Sequence, residues 1–93
     1  MTSLPRFTIP ATVVHREVNE QMVLLDLATE QYYGLDEVGT RIIALITTEP
    51  YDKAIERLLE DFEVDRAVLE ADIAELADEL IAKGLLVATP EGN

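Results

Sequence analysis

The first half of the chain alternates short apolar runs with short polar stretches. The apolar runs cover residues 11–18, 22–28 and 31–35. The polar stretches between them, residues 19–21 and 29–30, have the length of tight turns. Strand-like runs joined by tight turns predict an antiparallel meander of three strands. Asp26, a charged residue inside the second run, indicates that one face of this sheet is not wholly buried.

The second half has the spacing of amphipathic helices, with apolar residues every three or four positions. Three helices are predicted, over residues 37–48, 50–62 and 66–83. Asp36 and Asp65 are suitable N-caps for the first and third helices, and Pro50 suits the first turn of the second. Val38 begins the apolar stripe of the first helix, and Gly84 is a suitable stop for the third.

The third predicted helix is the longest and carries an apolar stripe with the helical period. The stripe consists of Leu69, Ile73, Leu76 and Leu80. Acidic residues lie together on one flank of it, namely Asp72, Glu75 and Glu79. Residues 85–87 after the helix are open to two interpretations, a short final strand or a packed tail.

Three strands followed by three helices predict an α+β fold, in which the helices bury their stripes on one face of a small sheet. This order of elements is compatible with a winged helix-turn-helix domain. The 93 residues contain no repeat and no Gly/Ser-rich linker, so we expect a single domain over residues 1–93. Its ordered core is expected at about residues 7–88, with loose ends at 1–5 and 89–93.

Charge and composition narrow the function. The chain has 7 basic and 19 acidic residues and a net charge of -12 at pH 7, which argues against binding to nucleic acid phosphates. It has no cysteine, which excludes disulfides and thiolate chemistry. Its longest apolar run, Ile42–Ile46, is far shorter than the ~20 residues of a membrane span, so no membrane partner is expected. The N-terminal residues lack the apolar stretch of a signal peptide, and we therefore expect a cytoplasmic protein.

Candidate catalytic and metal-binding residues are few. His15 is the only histidine and Ser3 the only serine, so no hydrolase triad is supported. Four acids match positions 1, 3, 5 and 12 of a calcium loop: Asp61, Glu63, Asp65 and Asp72. The template needs glycine at position 6, where this chain has Arg66. We therefore expect no enzyme, no metal and no cofactor.

Two apolar features have alternative interpretations. Tyr32 and Tyr33 are adjacent in a strand and face opposite sides of it. Tyr33 is then core and Tyr32 exposed, or the outward ring lines a groove for a partner. The stripe of the third helix is likewise either core or the wall of a groove beside the third strand. If that strand lies at a sheet edge, its free N–H and C=O groups can accept an added peptide strand.

Several segments, in this order and spacing, resemble the PqqD-like proteins, which are the RiPP precursor-peptide recognition elements. The segments Val23-Leu-Leu-Asp26, Tyr32-Tyr-x-Leu35-Asp-Glu-Val-Gly39 and the pair Ile42 and Leu45 resemble the family signature LLD…YY.LNxxG..I..L. Leu69-x-x-Asp72-Ile-x-x-Leu76 and Leu80-x-x-Lys83-Gly84-Leu85-Leu86 resemble its closing pattern. The likeness covers about residues 7–88. Family members often have glycine where Glu30 stands and asparagine where Asp36 stands.

The likeness is greatest to the recognition subunit of lasso-peptide biosynthesis. It implies a non-catalytic, winged-helix-like protein that holds the leader of a precursor peptide as an extra β-strand between the third strand and the third helix. It also implies delivery to a leader peptidase, with an ATP-dependent macrolactam synthetase acting afterwards. The implied peptide-binding residues are Gln31, Tyr32, Tyr33 and Gly34 on the strand, and Leu69, Asp72, Ile73 and Leu76 on the helix.

Two other functions stay open on the sequence alone. One is a PqqD-like chaperone that presents a precursor peptide to a radical-SAM enzyme. The other is a winged-helix transcription factor or acidic adaptor, against which the negative charge counts. We further hypothesise that the acidic flank of the third helix steers a lysine-bearing leader, an effect that weakens with salt.

Overall fold

The computed structural model describes residues 5–90. In chain order the elements are the strands β1 (Pro5–Thr8), β2 (Val13–Val18), β3 (Gln21–Asp26) and β4 (Tyr32–Leu35), the helices α1 (Glu37–Ile46), α2 (Tyr51–Asp61) and α3 (Arg66–Ala82), and the strand β5 (Val87–Pro90). The predicted α+β fold, an antiparallel three-stranded sheet followed by three helices, is confirmed. The third strand of the sequence prediction is β4.

Strands β2, β3 and β4 form one antiparallel sheet with β3 in the centre. Asn19 and Glu20 connect β2 to β3 as a two-residue turn with φ of 52° and 65°. Positive φ at both central residues is the geometry of hairpin turns whose twist matches that of the strands. In the resulting register, Leu24 of β3 lies opposite His15 on one side and Tyr33 on the other.

The turn between β3 and β4 is organised by Asp26. Its carboxylate accepts a hydrogen bond from the N–H of Ala28 at 2.9 Å, and its carbonyl accepts one from the N–H of Glu30 at 2.7 Å. The sheet has an exposed face, as predicted, but Asp26 does not lie on it, because the residue is only 7% exposed. A buried carboxylate needs hydrogen-bond donors, and the turn supplies them. Glu30 has a φ of 62°, in the region that favours glycine.

The helix boundaries agree with the predictions to within two residues. Asp36 caps α1 as predicted, because its carboxylate accepts a hydrogen bond from the N–H of Gly39 at 2.7 Å. Asp65 occupies the N-cap position of α3, but its side chain makes no capping hydrogen bond, so that prediction was wrong. Val38 was also wrongly assigned to the buried stripe of α1, since it is 48% exposed.

The core lies between the inner face of the three-stranded sheet and the three helices. Its large, fully buried side chains are Leu24, Ile43, Ile55, Leu58, Ile73, Leu80, Leu85 and Leu86. Each such side chain contributes roughly 1.5–3 kcal/mol through burial. None of the helices within residues 5–90 is both long and apolar enough to cross a membrane.

A second, two-stranded sheet joins the two ends of the described chain. Strands β1 and β5 pair antiparallel, with Phe7 opposite Ala88. Phe7 is buried, and its ring centroid lies 6.1 Å from that of Tyr51. The expectation of loose ends was therefore wrong at residues 5, 89 and 90, which belong to strands. The other residues of those predicted ends lie outside the described chain.

Candidate functional site

The free edge of β4 is the first component of the candidate site. Strand β4 pairs with β3 along one side, and within residues 5–90 no strand pairs with its other side. An edge strand of this kind leaves backbone donors and acceptors without ladder partners. The sequence left open whether this strand is an edge, and the topology places it there.

Hydrogen bonds at both ends of the β3–β4 ladder identify the residues that face β3. At one end the N–H of Asp26 donates to the carbonyl of Gln31 at 2.8 Å. At the other end the hydroxyl of Thr40 accepts a hydrogen bond from the N–H of Met22 at 2.7 Å and donates one to the carbonyl of Leu35 at 3.4 Å. Gln31 and Leu35 therefore direct their carbonyls towards β3.

Antiparallel ladders alternate, so that every second residue bonds to one neighbour and the residues between bond to the other. Because Gln31 and Leu35 face β3, Tyr33 faces β3 as well. The N–H and C=O groups of Tyr32 and Gly34 consequently point to the free edge. Of the four predicted strand residues, these two have backbone groups at the free edge, whereas Gln31 and Tyr33 are directed towards β3.

A groove of about 510 Å³ runs between β4 and α3 and is the second component. Its lining is Tyr33, Gly34, Leu35, Asp36, Val38, Gly39, Ile42, Phe62, Val64, Leu69, Asp72 and Leu76. Most of these side chains are apolar, and the carboxylates of Asp36 and Asp72 are the charged groups among them. The predicted pairing of the third strand with the third helix thus corresponds to a real concave surface.

The predicted site residues fall into three groups. Leu69, Asp72 and Leu76 line the groove on the side of α3. Ile73, which was predicted for the same wall, is absent from the lining and packs in the core at 1% exposure. Tyr32 is 71% exposed and Tyr33 half-buried, as expected for adjacent strand residues.

Sequence reasoning missed part of the lining. Val38 of α1 and Phe62 and Val64 of the α2–α3 connection form the groove wall away from β4. Val38 had been assigned to the buried stripe of the first helix, and residue 62 to the end of the second. The available signal was the pair Phe62 and Val64 in an otherwise acidic connection, where apolar residues have no helical stripe to join.

One end of the groove is crossed by side-chain contacts. The Tyr33 hydroxyl donates a hydrogen bond to the Glu79 carboxylate, and the Lys83 ammonium lies 5.9 Å from the centre of the Tyr33 ring. The hydrogen bond to Glu79, together with burial and the carboxylates of Glu79 and Asp36, raises the pKa of Tyr33. Glu79 is therefore already engaged within the chain, whereas Asp72 faces the groove.

Gly34 is a glycine that the fold of this chain does not itself require. A Cβ atom built on this residue would have no neighbour within 4 Å, and its backbone does not require a positive φ. Neither packing nor backbone conformation within this chain demands glycine at position 34. Its lack of a side chain leaves the free edge of β4 open to close approach by another backbone.

A second concave surface, of about 460 Å³, lies between the β2–β3 turn and the helices α1 and α2. Its charged lining residues are Glu17, Glu20, Glu37, Arg41 and Asp61. Arg41 and Asp61 form an ion pair there at 2.7 Å. Within the described residues, no group of His, Asp or Glu side chains is arranged to hold a metal ion. The groove beside β4 is accordingly the stronger candidate site.

The fold and the groove define a class of protein, an α+β domain in which an open edge strand lies beside an apolar helical wall. Residues 21–86 match the family described as Coenzyme PQQ synthesis protein D (PqqD). Because this match covers more than half of the sequence, the chain belongs to the PqqD family. The resemblance drawn from its motifs is confirmed.

Two solved structures have the same fold. The first, TbiB1 in complex with the TbiA(beta) leader peptide, is 30% identical to this chain, and the match covers 90% of this chain and 99% of that one with a TM-score of 0.81. The second, lasso peptide synthetase B1 complexed with the leader peptide, is 24% identical, and the match covers 88% and 98% of the two chains with a TM-score of 0.79. At that identity the second likeness concerns the fold alone. No curated protein sequence matches the chain.

Proposed function

We propose that this protein binds the leader segment of a ribosomally made precursor peptide. The leader adds as a further strand to the free edge of β4 and packs side chains into the groove beside α3. The observation that carries the proposal is the coincidence of two features, because the unpaired backbone groups of Tyr32 and Gly34 lie beside an apolar groove. Strand addition combines backbone pairing for affinity with pockets for side-chain selection.

The relatives support this function. TbiB1, which is 30% identical to this chain over nearly its whole length, is described in complex with the TbiA(beta) leader peptide. The PqqD family match, residues 21–86, includes β4, α1, the α2–α3 connection and α3, which supply the lining of the groove. The part of the chain that aligns with the family is thus the part that would hold a peptide.

Most of the selectivity among leader peptides comes from side-chain burial in the groove, not from the backbone hydrogen bonds. Tyr32 and Gly34 each offer one donor and one acceptor, and a backbone hydrogen bond contributes about 0.5–1.5 kcal/mol net. Ordering a flexible peptide consumes a comparable amount of free energy. An apolar side chain that becomes buried against Leu35, Leu69 and Leu76 adds about 1.5–3 kcal/mol. Leaders are therefore distinguished mainly by the side chains that enter the groove.

Within this proposal the protein is not an enzyme, and its role is to present the precursor to other proteins. By the family resemblance, those partners are a leader peptidase and, after it, a macrolactam synthetase of lasso-peptide biosynthesis. The match to a coenzyme PQQ synthesis family favours a second candidate, a chaperone that presents its peptide to a radical-SAM enzyme. The neighbouring reading frame distinguishes them, since it encodes a peptidase in the first case and a radical-SAM protein in the second.

Peptide titration with paired variants tests the proposal. Leu76 lines the groove, whereas Ile81, on the same helix, is partly exposed and outside the lining. With fluorescein-labelled TbiA(beta) leader peptide as the probe, Leu76→Gln is expected to weaken binding at least about tenfold. Ile81→Gln is expected to change it less than about twofold. Equal affinity for both variants, with both folded by circular dichroism, would contradict the groove assignment.

Electrostatic steering by the acidic flank of α3 stays a prediction. Asp72 faces the groove, and Glu79 keeps its negative charge while its carboxylate accepts the hydrogen bond from Tyr33. Association rates that are the same at low and high ionic strength would exclude steering.

A further inference from the structure

The two ends of the groove differ in the side chains that border them. Leu35 lines the groove together with Ile42, Phe62 and Leu69. Around Tyr33 the space between strand and helix is bridged by the hydrogen bond from Tyr33 to Glu79, with Lys83 over the ring. Neither Glu79 nor Lys83 belongs to the lining of the groove. Tyr33 itself lines the groove, so the groove reaches both residues of β4, but it is spanned by a side-chain bridge at the Tyr33 end.

The geometry of a ladder determines which side chains of an added strand meet each end of the groove. Residues directly opposite each other in neighbouring strands point to the same face of the sheet. Leu35 and Tyr33 both point to the helical face, and they are two residues apart. A strand added at the edge of β4 therefore places one side chain beside Leu35 and another, two residues away, over the bridge between Tyr33 and Glu79.

We propose that the bridge between Tyr33 and Glu79 fixes the register of the bound peptide by excluding a large side chain from the position that faces Tyr33. The inference rests on the proposed function, since it assumes a peptide strand beside β4. The position that faces Leu35 accepts a large apolar side chain, and the position two residues away, facing Tyr33, accepts a small one.

Backbone pairing alone does not fix the register of a strand that is added to β4. Sliding a strand by two residues keeps the same side chains on the same face, and the backbone hydrogen bonds at Tyr32 and Gly34 form equally well in both registers. The apolar wall of α3 does not by itself reject such a shift. The bridge between Tyr33 and Glu79 rejects such a shift, because a slip of two residues moves the large side chain of the peptide against it.

The test uses variants that remove the bridge and variants that resemble them elsewhere. Glu79→Ala removes the acceptor and Tyr33→Phe removes the donor, while Glu79→Gln keeps an acceptor for the hydroxyl. Asp78→Ala, on the same turn of α3, and Tyr51→Phe, beside Phe7 and away from the groove, are the matched controls. Circular dichroism confirms that each variant is folded before binding is measured.

The probes are TbiA(beta) leader peptides in which each residue in turn is replaced by alanine or by leucine. The residue facing Leu35 is identified as the one whose alanine replacement weakens binding most. The position facing Tyr33 is one of the two positions that lie two residues from it. With the unaltered protein, the peptide with leucine at the position facing Tyr33 is expected to bind about tenfold more weakly than the peptide with alanine there, because the bridge does not admit the extra volume. Glu79→Ala and Tyr33→Phe reduce this difference to less than about threefold. Glu79→Gln and both controls retain it.

The outcomes separate the two proposals. A leucine penalty that persists in Glu79→Ala and Tyr33→Phe, or the absence of a penalty in the unaltered protein, overturns the register device and leaves leader binding intact. Failure of the unaltered protein to bind any of these peptides contradicts the proposed function on which the device rests.

Discussion

Thr40 provides a stringent test of how the groove is held open. This residue is 4% exposed, and its hydroxyl bridges the N–H of Met22 and the carbonyl of Leu35, where the ladder between β3 and β4 ends. Thr40→Val has nearly the same volume but no hydroxyl. The N–H of Met22 then loses its hydrogen bond at 2.7 Å in a buried position.

A buried donor without a partner costs about 1–3 kcal/mol, which lowers the melting temperature by roughly 4–8 °C per kcal/mol in a domain of this size. Urea unfolding followed by circular dichroism measures the loss directly. Thr48→Val is the control, because Thr48 is exposed near the end of the same helix. A change below about 0.3 kcal/mol in Thr40→Val would contradict this role of the hydroxyl, since it would mean that Met22 and Leu35 close the ladder without it.

Three other predictions follow from residues already described. Ile73→Asp places a charge at a fully buried core position, so we expect an unfolded chain at 25 °C by circular dichroism, not a folded protein with a damaged groove. Glu30→Gly relieves a φ of 62° and is expected to stabilise the protein by about 0.5–1 kcal/mol in urea unfolding, whereas no gain would argue against strain there. The pKa of Tyr33 is raised chiefly by its hydrogen bond to Glu79, and that of Tyr51 chiefly by burial. The folded state therefore holds both phenolic protons more tightly than the unfolded state does. The contribution of these two groups to the free energy of unfolding is fully present below the ordinary tyrosine pKa near 10 and is lost as the pH rises through their raised pKa values. In urea unfolding at a series of pH values, Tyr51→Phe should lose less unfolding free energy at alkaline pH than the unaltered protein. An equal loss in both would contradict the raised pKa of Tyr51.

The elements of this fold were predictable where a local pattern determines them. The helical spacing and the cap at Asp36 located α1, and the apolar runs with their tight turns located β2, β3 and β4. The sheet of β1 and β5 was not predictable, because its strands are short and their pairing joins residues at opposite ends of the sequence. Asp65 was a reasonable cap by residue type, but capping depends on a side-chain orientation that residue type does not determine.

The candidate site was predictable in outline and not in detail. Identifying β4 and α3 as its walls needed only the order of elements and the family motifs. Assigning Ile73 to the wall failed because a helical stripe wider than one row faces both the core and the groove, and spacing alone does not separate Ile73 from Leu76. The alternation of free backbone groups between Tyr32 and Gly34 required the ladder itself. The contribution of Val64 depends on the path of the α2–α3 connection, which local sequence does not encode.

Amide hydrogen exchange of residues in β4, followed by NMR with and without the TbiA(beta) leader peptide, tests strand addition most directly. If the peptide adds to this edge, the amides of Tyr32 and Gly34 become strongly protected when it binds. The amide of Tyr33, which faces β3, should change little. Binding that leaves the exchange of Tyr32 and Gly34 unaltered would contradict the claim that the peptide pairs with this edge.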